Sequence, residues 1–164
     1  MRASSVFGLL AASASTLAAV NAGAQGAPHQ RPGLWQTTTA MVGMAQPMTI
    51  ETCVDAASEA SSSVFSSNIR KRDQCTATQI THNLNGSWTA VSTCEFRPGV
   101  PTTSRTDITG DFNSKISITL RSPPTAPPKM TMTSVWLGAC KPGQHGGDVM
   151  MSDGTRMNFV NGAK

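Results

Sequence analysis

From Gly33 to Cys140 polar and apolar positions alternate with a period of two, the mark of half-buried β-strands. The stretch NSKISITLR shows it most cleanly: Ile116, Ile118 and Leu120 share one face, and Lys115, Ser117, Thr119 and Arg121 the other. KMTMTSVWLGA puts Met130, Met132, Ser134 and Trp136 on one side. Gly33–Val42 reads as a strand in which Met41 alternates in phase with Trp35, and a turn over 43–47 leads into a second strand, Met48–Cys53. TTSRTDITGDF is polar on both faces, which suits a strand near an edge or rim. The linker SPPTAPP is too stiff and too poor in N–H donors to join a sheet.

One hairpin can be read in register. CTATQITH and SWTAVSTCEF flank Asn83-Leu84-Asn85-Gly86, a strong turn signal. With those residues as the loop, His82 faces Ser87, Thr81 faces Trp88, and Cys75 comes opposite Cys94. Directly opposed residues lie about 4.5–5.5 Å apart, compatible with a disulfide. Cys53 is then left for Cys140; this is one of the three pairings that four cysteines allow. Asp55 can cap a short helix over 56–69, with Ser58 and Glu59 in its first turn. Its low apolar content places that helix on a surface. The expected fold is mostly β: about seven antiparallel strands in a meander, with one short helix. With so few large apolar residues per strand, such a sheet curls into a half-barrel or small barrel. A two-sheet sandwich is the alternative.

The N-terminus sets the compartment. Arg2, an apolar small-residue run from Val6 to Val20, and Ala22-Gly23-Ala24 form a signal peptide over 1–24. The apolar run is too short and weak for a membrane span, and no second one follows, so the mature chain has no spanning segment. Residues 25–32 read as a flexible lead-in, 33–140 as a disulfide-bonded β domain, and 141–164 as a Gly-rich tail. That tail holds one or two short strands or drapes over an open end of the sheet. The expected location is periplasmic or secreted, where an even number of cysteines forms disulfides. The net charge of +4 has one local focus, Arg70-Lys71-Arg72, which reads as a solvated loop. That cluster is short and without interleaved aromatics, which argues against nucleic acid as a partner.

Taken together, several motifs point to a family. They are the opening RPGLWQTTTAMVGM, TCVD at the end of the second strand, the Cys-to-Cys hairpin, GDF in mid-chain, WLGAC, and a PG…GD…DG tail. In this order and spacing the chain resembles the bacterial domain-of-unknown-function 3617 family of small exported proteins. The resemblance implies a periplasmic or cell-envelope role, with no assigned activity and no catalytic or binding residues to transfer.

The residues themselves argue against catalysis. There is no G-x-S-x-G elbow, no S-x-x-K and no C-x-x-C pair. His29, His82 and His145 are isolated in the lead-in, beside a turn and among glycines. Asp107 and Asp111 share a strand face but sit about 13 Å apart, too far for a paired acid and base. Zinc and calcium lack ligand spacing, since Asp148 and Asp153 stand without further carboxylates near them. No cofactor is implied. Three uses of the sheet remain. Trp35, Trp88, Met130, Met132, Trp136, Ile116 and Ile118 could converge inside a curled sheet, either as a filled core or as the wall of a pocket for a small apolar or amphiphilic molecule. Met41, Met44, Met130 and Met132 could instead offer thioethers to copper(I), with Met150, Met151 and Met157 near His145 as a further cluster; core packing is the competing use of the same side chains. Third, an envelope structural or inhibitory protein could dock a partner through its surface or strand edges.

Overall fold

The computed structural model describes residues 28–62 and 75–160. The expected signal peptide, the far part of the expected helix and the Arg70-Lys71-Arg72 cluster lie outside the described residues. The elements in chain order are β1 (Gly33–Met41), β2 (Met48–Val54), α1 (Ala56–Ser62), β3 (Cys75–His82), β4 (Trp88–Arg97), β5 (Val100–Asp111), β6 (Lys115–Arg121), β7 (Met130–Gly138), β8 (Asp148–Met151) and β9 (Arg156–Asn158). Each expected strand is present, with ends that move by a residue or two, and the tail supplies two short strands.

All strands among the described residues join one antiparallel sheet of nine, in the order β3-β4-β5-β6-β7-β1-β2-β8-β9. The expected strands are β1 to β7 and the tail adds two short ones, but the order is not the simple meander expected. Only β3 to β7 form a meander. The β1–β2 hairpin slots in after β7, and the tail strands close on β2. The β7–β1 and β2–β8 pairings join segments far apart in the chain, which a local alternation pattern does not encode. The sheet is open, because its edges β3 and β9 do not pair with each other. It is therefore not a closed barrel, and the described residues form no second sheet that would make a sandwich.

The β3–β4 hairpin differs from the expected register by one residue. His82 faces Trp88 and Thr81 faces Thr89. The loop is Leu84-Asn85-Gly86, with the Gly86 N–H donating to the Asn83 carbonyl (2.9 Å) and the Asn83 N–H to the Ser87 carbonyl (2.8 Å). Gly86 sits at φ 79°, so this is a three-residue loop with its glycine in the left-handed region. A bulge between Cys75 and Ala77 takes up the slip, so Cys75 still lies opposite Cys94. Cys94 is disulfide-bonded. The Cys53–Cys140 disulfide is present, closing a separation of 87 residues and tying the end of β2 to the start of the tail.

One face of the sheet carries the core. The register sets Trp88, Ile108, Ile118, Met132 and Thr39 side by side across β4, β5, β6, β7 and β1. Trp35, Val54, Trp88, Ala90, Ile108, Phe112, Ile116 and Ile118 form one buried cluster, with Met132 and Trp136 packed against it. Trp35 and Trp88 belong to strands four places apart, yet share that cluster. A flat sheet would leave such a face bare. Among the described residues the only helix is the seven-residue α1, and the cluster shared by Trp35 and Trp88 is what a twisted, curled sheet provides.

Candidate functional site

The two ends of this inner face are built differently. At one end the lead-in, expected to be flexible, is pinned from His29 onward. The Arg31 N–H donates to the Phe112 carbonyl (2.9 Å), which belongs to the turn after β5. The Trp35 indole N–H donates back to the Arg31 carbonyl (2.8 Å), and the Trp136 indole N–H to the Pro32 carbonyl (3.2 Å). The Arg31 guanidinium lies 3.7 Å over the Trp136 ring, a cation–π contact. His29 contacts the Glu59 carboxylate at 2.5 Å, and the Gln30 N–H donates to the same group (3.2 Å), so the lead-in is also fastened to α1. Gly33 makes this seal possible. Its φ is +135°, and a Cβ there would stand 2.3 Å from the Gly138 carbonyl oxygen and 2.5 Å from the Trp136 indole nitrogen. Asp55 starts α1 as expected: its carboxylate accepts the Ser58 N–H (2.8 Å), and these bonds to Ser58 lower its pKa.

The other end is open, and methionine lines it. Met41 and Met130 are direct cross-strand partners, and Thr39 lies between Met132 on one side and Met48 on the other. The alternation of β1, β2 and β7 therefore puts Met41, Met48, Met130 and Met132 on the inner face around buried Thr39. Met44 follows in the turn, which the Met44 N–H closes onto the Met41 carbonyl (3.0 Å). Ile80 of the edge strand and Leu120, opposite Met130, continue the apolar surface. Exposure separates the two ends. Trp35 is 1%, Ile116 0% and Ile118 3% exposed, whereas Met41 is 46%, Met44 41%, Met48 39% and Ile80 39% exposed. A shallow hollow of about 260 Å³ wraps around the end of the β1–β7 ladder, lined by Met41 and Met130 of the inner face, Ala40 and Thr131 of the outer, and Val42, Pro128 and Lys129 beyond it.

The residues expected to line a pocket thus divide. Trp35, Trp88, Ile116 and Ile118 are core residues with almost no surface left for a ligand. Trp136 is half-buried and belongs to the seal. Met130 and Met132 are half-buried and border the open end, where alternation also brings Met41 and Met48. Met48 and Ile80 were not among the residues picked from the pattern. The phase of β2 against β1 assigns Met48 to this face, but that phase needs the observed register. Met150 takes part in a separate row. Met151 pairs with Ile50 on the inner face, and Met150 with Glu51 on the outer.

A larger hollow, about 550 Å³, lies on that outer face. Gln36, Glu51, Met150 and Arg156 line it from one register row, and the tail segment Lys141, Pro142 and Gln144 walls it. Its charges are already matched. The Lys141 ammonium contacts Glu51 at 2.5 Å, and Arg156 is held by Asp148 and by the Gly143 carbonyl. Asp148 is the hub of this tail. It accepts the His145 N–H (2.6 Å), Arg156 and the Asn158 amide (2.9 Å), and these bonds hold its carboxyl far below the ordinary value of 3.8. With both cations paired to protein carboxylates, this hollow is a built joint between tail and sheet rather than a recognition site. The inner-face opening, where no ion pair is formed among the described residues, is the stronger candidate.

Residues 30–140 match the family model described as a protein of unknown function, DUF3617. The chain belongs to this family. Comparison with curated proteins and with solved structures found no match. The DUF3617 match runs from the pinned lead-in through β1 to Cys140, so it includes both ends of the inner face and the disulfide, and stops before β8 and β9. No helix among the described residues is long and apolar enough to cross a membrane.

Proposed function

We propose that this DUF3617 protein is a non-enzymatic protein of the cell envelope that holds a small apolar or amphiphilic molecule against the open, methionine-lined end of its inner face. The single observation that carries this reading is the exposure gradient along one continuous face, from Ile116 at 0% to Met41 at 46%. Flexible, polarisable methionine at an accessible apolar surface adapts to varied ligand shapes. The pinned lead-in blocks one end, so an acyl chain would enter at the other. Export rests on the N-terminal segment: Arg2, the apolar run and Ala22-Gly23-Ala24. The non-enzymatic reading rests on the sequence, which has no G-x-S-x-G elbow, no S-x-x-K and no C-x-x-C pair.

The test is a titration with a lysophospholipid below its critical micelle concentration, followed by tryptophan fluorescence. Saturable binding is expected, lost in Met41→Glu with Met130→Glu and kept in Met150→Glu on the outer face. Failure of the native chain to bind, or equal loss in all variants, would refute the reading.

A further inference from the structure

We propose that the open end also holds a copper(I) site, with the thioethers of Met41, Met130 and Met132 as ligands and Met44 in reach as a fourth. The register carries this. Met41 and Met130 are directly opposed, so their Cβ atoms lie about 4.5–5.5 Å apart, and Met132 is the diagonal neighbour of Met41 at about 7–8 Å. Two thioethers on opposed β-carbons, each on a flexible stem, can close on one ion, and the third approaches from the next position of β7. Two features keep the donors in place. The β1–β7 ladder extends past them, since the Val42 N–H donates to the Lys129 carbonyl (3.0 Å). The turn bond from the Met44 N–H to the Met41 carbonyl then keeps the backbone of the next methionine close to the same end.

The donor set selects the metal. Among the described residues no three of His, Cys, Asp or Glu come together, so hard and borderline divalent ions find no site of the usual kind. A purely thioether set is soft and neutral, which suits a soft monovalent ion such as copper(I) or its analogue silver(I). The flanking Lys129 ammonium works against a divalent ion more than against a monovalent one. The Cys53–Cys140 sulfurs cannot compete, because they form a disulfide. The inference does not rest on amphiphile binding. Copper needs sulfur lone pairs, whereas an acyl chain needs only apolar area, and leucine in place of methionine removes the first while keeping the second.

The experiment is an anaerobic competition for copper(I), kept reduced with ascorbate so that the disulfides stay intact, against the chromogenic chelator bicinchoninate. The native chain should withdraw one equivalent. Met41→Leu with Met130→Leu should weaken affinity by roughly 100-fold or more, beyond the tenfold to hundredfold typical of losing a supporting contact alone. Met150→Leu, on the outer face, should leave the copper affinity unchanged. A native chain that withdraws no copper, or a double variant that withdraws it as well as the native chain, overturns the proposal while leaving the amphiphile reading standing. Should the double variant fail to fold, silver(I) added to native protein with 13C-methyl methionines decides. Shifts at Met41, Met130 and Met132 uphold the site; shifts confined to other methionines, or none, overturn it.

Discussion

Truncating two side chains on the same face, Ile118→Ala and Met41→Ala, should have very different costs. Ile118 sits between Ile108 and Met132 across three strands and is 3% exposed. Its truncation loses the transfer energy of the removed carbons and leaves a cavity, together about 2–5 kcal/mol. In a domain of this size about 3.5 kcal/mol lowers Tm by roughly 10–15 °C. Met41 is 46% exposed, so only about half of the roughly 1.5–3 kcal/mol for burying such a side chain is at stake. Water fills the space it leaves, so no cavity term is added, and the cost should be about 1 kcal/mol or less. Urea unfolding by far-ultraviolet dichroism measures both, and an unchanged slope with denaturant confirms that the shifts report stability. A Met41→Ala cost equal to that of Ile118→Ala would mean that the methionine end is ordinary core. An Ile118→Ala cost under about 1 kcal/mol would mean that the supposed core is itself loosely packed.

Removing Cys53 and Cys140 together as alanines should destabilise by about 4–5 kcal/mol, the chain-entropy expectation for a loop of this length; differential scanning calorimetry should show a Tm lower by roughly 15 °C. A shift of only a degree or two would show that the pair does not constrain the unfolded chain. Gly33→Ala meets a backbone carbonyl and the Trp136 ring in a left-handed conformation, and should cost about 3 kcal/mol or more. It should also shift tryptophan emission to the red as the seal opens, and unshifted emission would count against the seal. Asp148 has its folded pKa depressed, so its native state binds fewer protons than the unfolded chain. Its stabilising effect is present above about pH 4 and is lost as pH falls below that. Chemical denaturation at pH 5, 4 and 3 should show a steeper loss in the native chain than in Asp148→Asn, and parallel curves would contradict the hub assigned to it.

Much of the fold was legible because strands are local. Ile116, Ile118 and Leu120 announced β6 through alternation alone, and β3 has the bounds expected of it. The hairpin register was off by one because Ser87 joins Asn83 in a closing pair, shortening the loop, while a bulge near Cys75 restored the cysteine opposition. Neither event leaves a mark that counting outward can find. The β7–β1 and β2–β8 pairings were not legible, since they depend on which distant strands share apolar faces. The site was legible to the level of a face. Parity alone placed Met130, Met132 and Trp136 together and put Met41 in phase with Trp35. Which part of that face is core and which part is open depends on the lead-in. Arg31 and His29 hold their places through Phe112, Trp136 and Glu59, contacts across the fold that no periodicity encodes.

The most direct test of an accessible, ligand-holding methionine end is a 13C-methyl methionine spectrum of the native chain, titrated with lysophospholipid below its critical micelle concentration. The methyls of Met41, Met48, Met130 and Met132 should shift together and saturate, while Met150 on the outer face stays in place. No movement, or equal movement at Met150, would contradict the account.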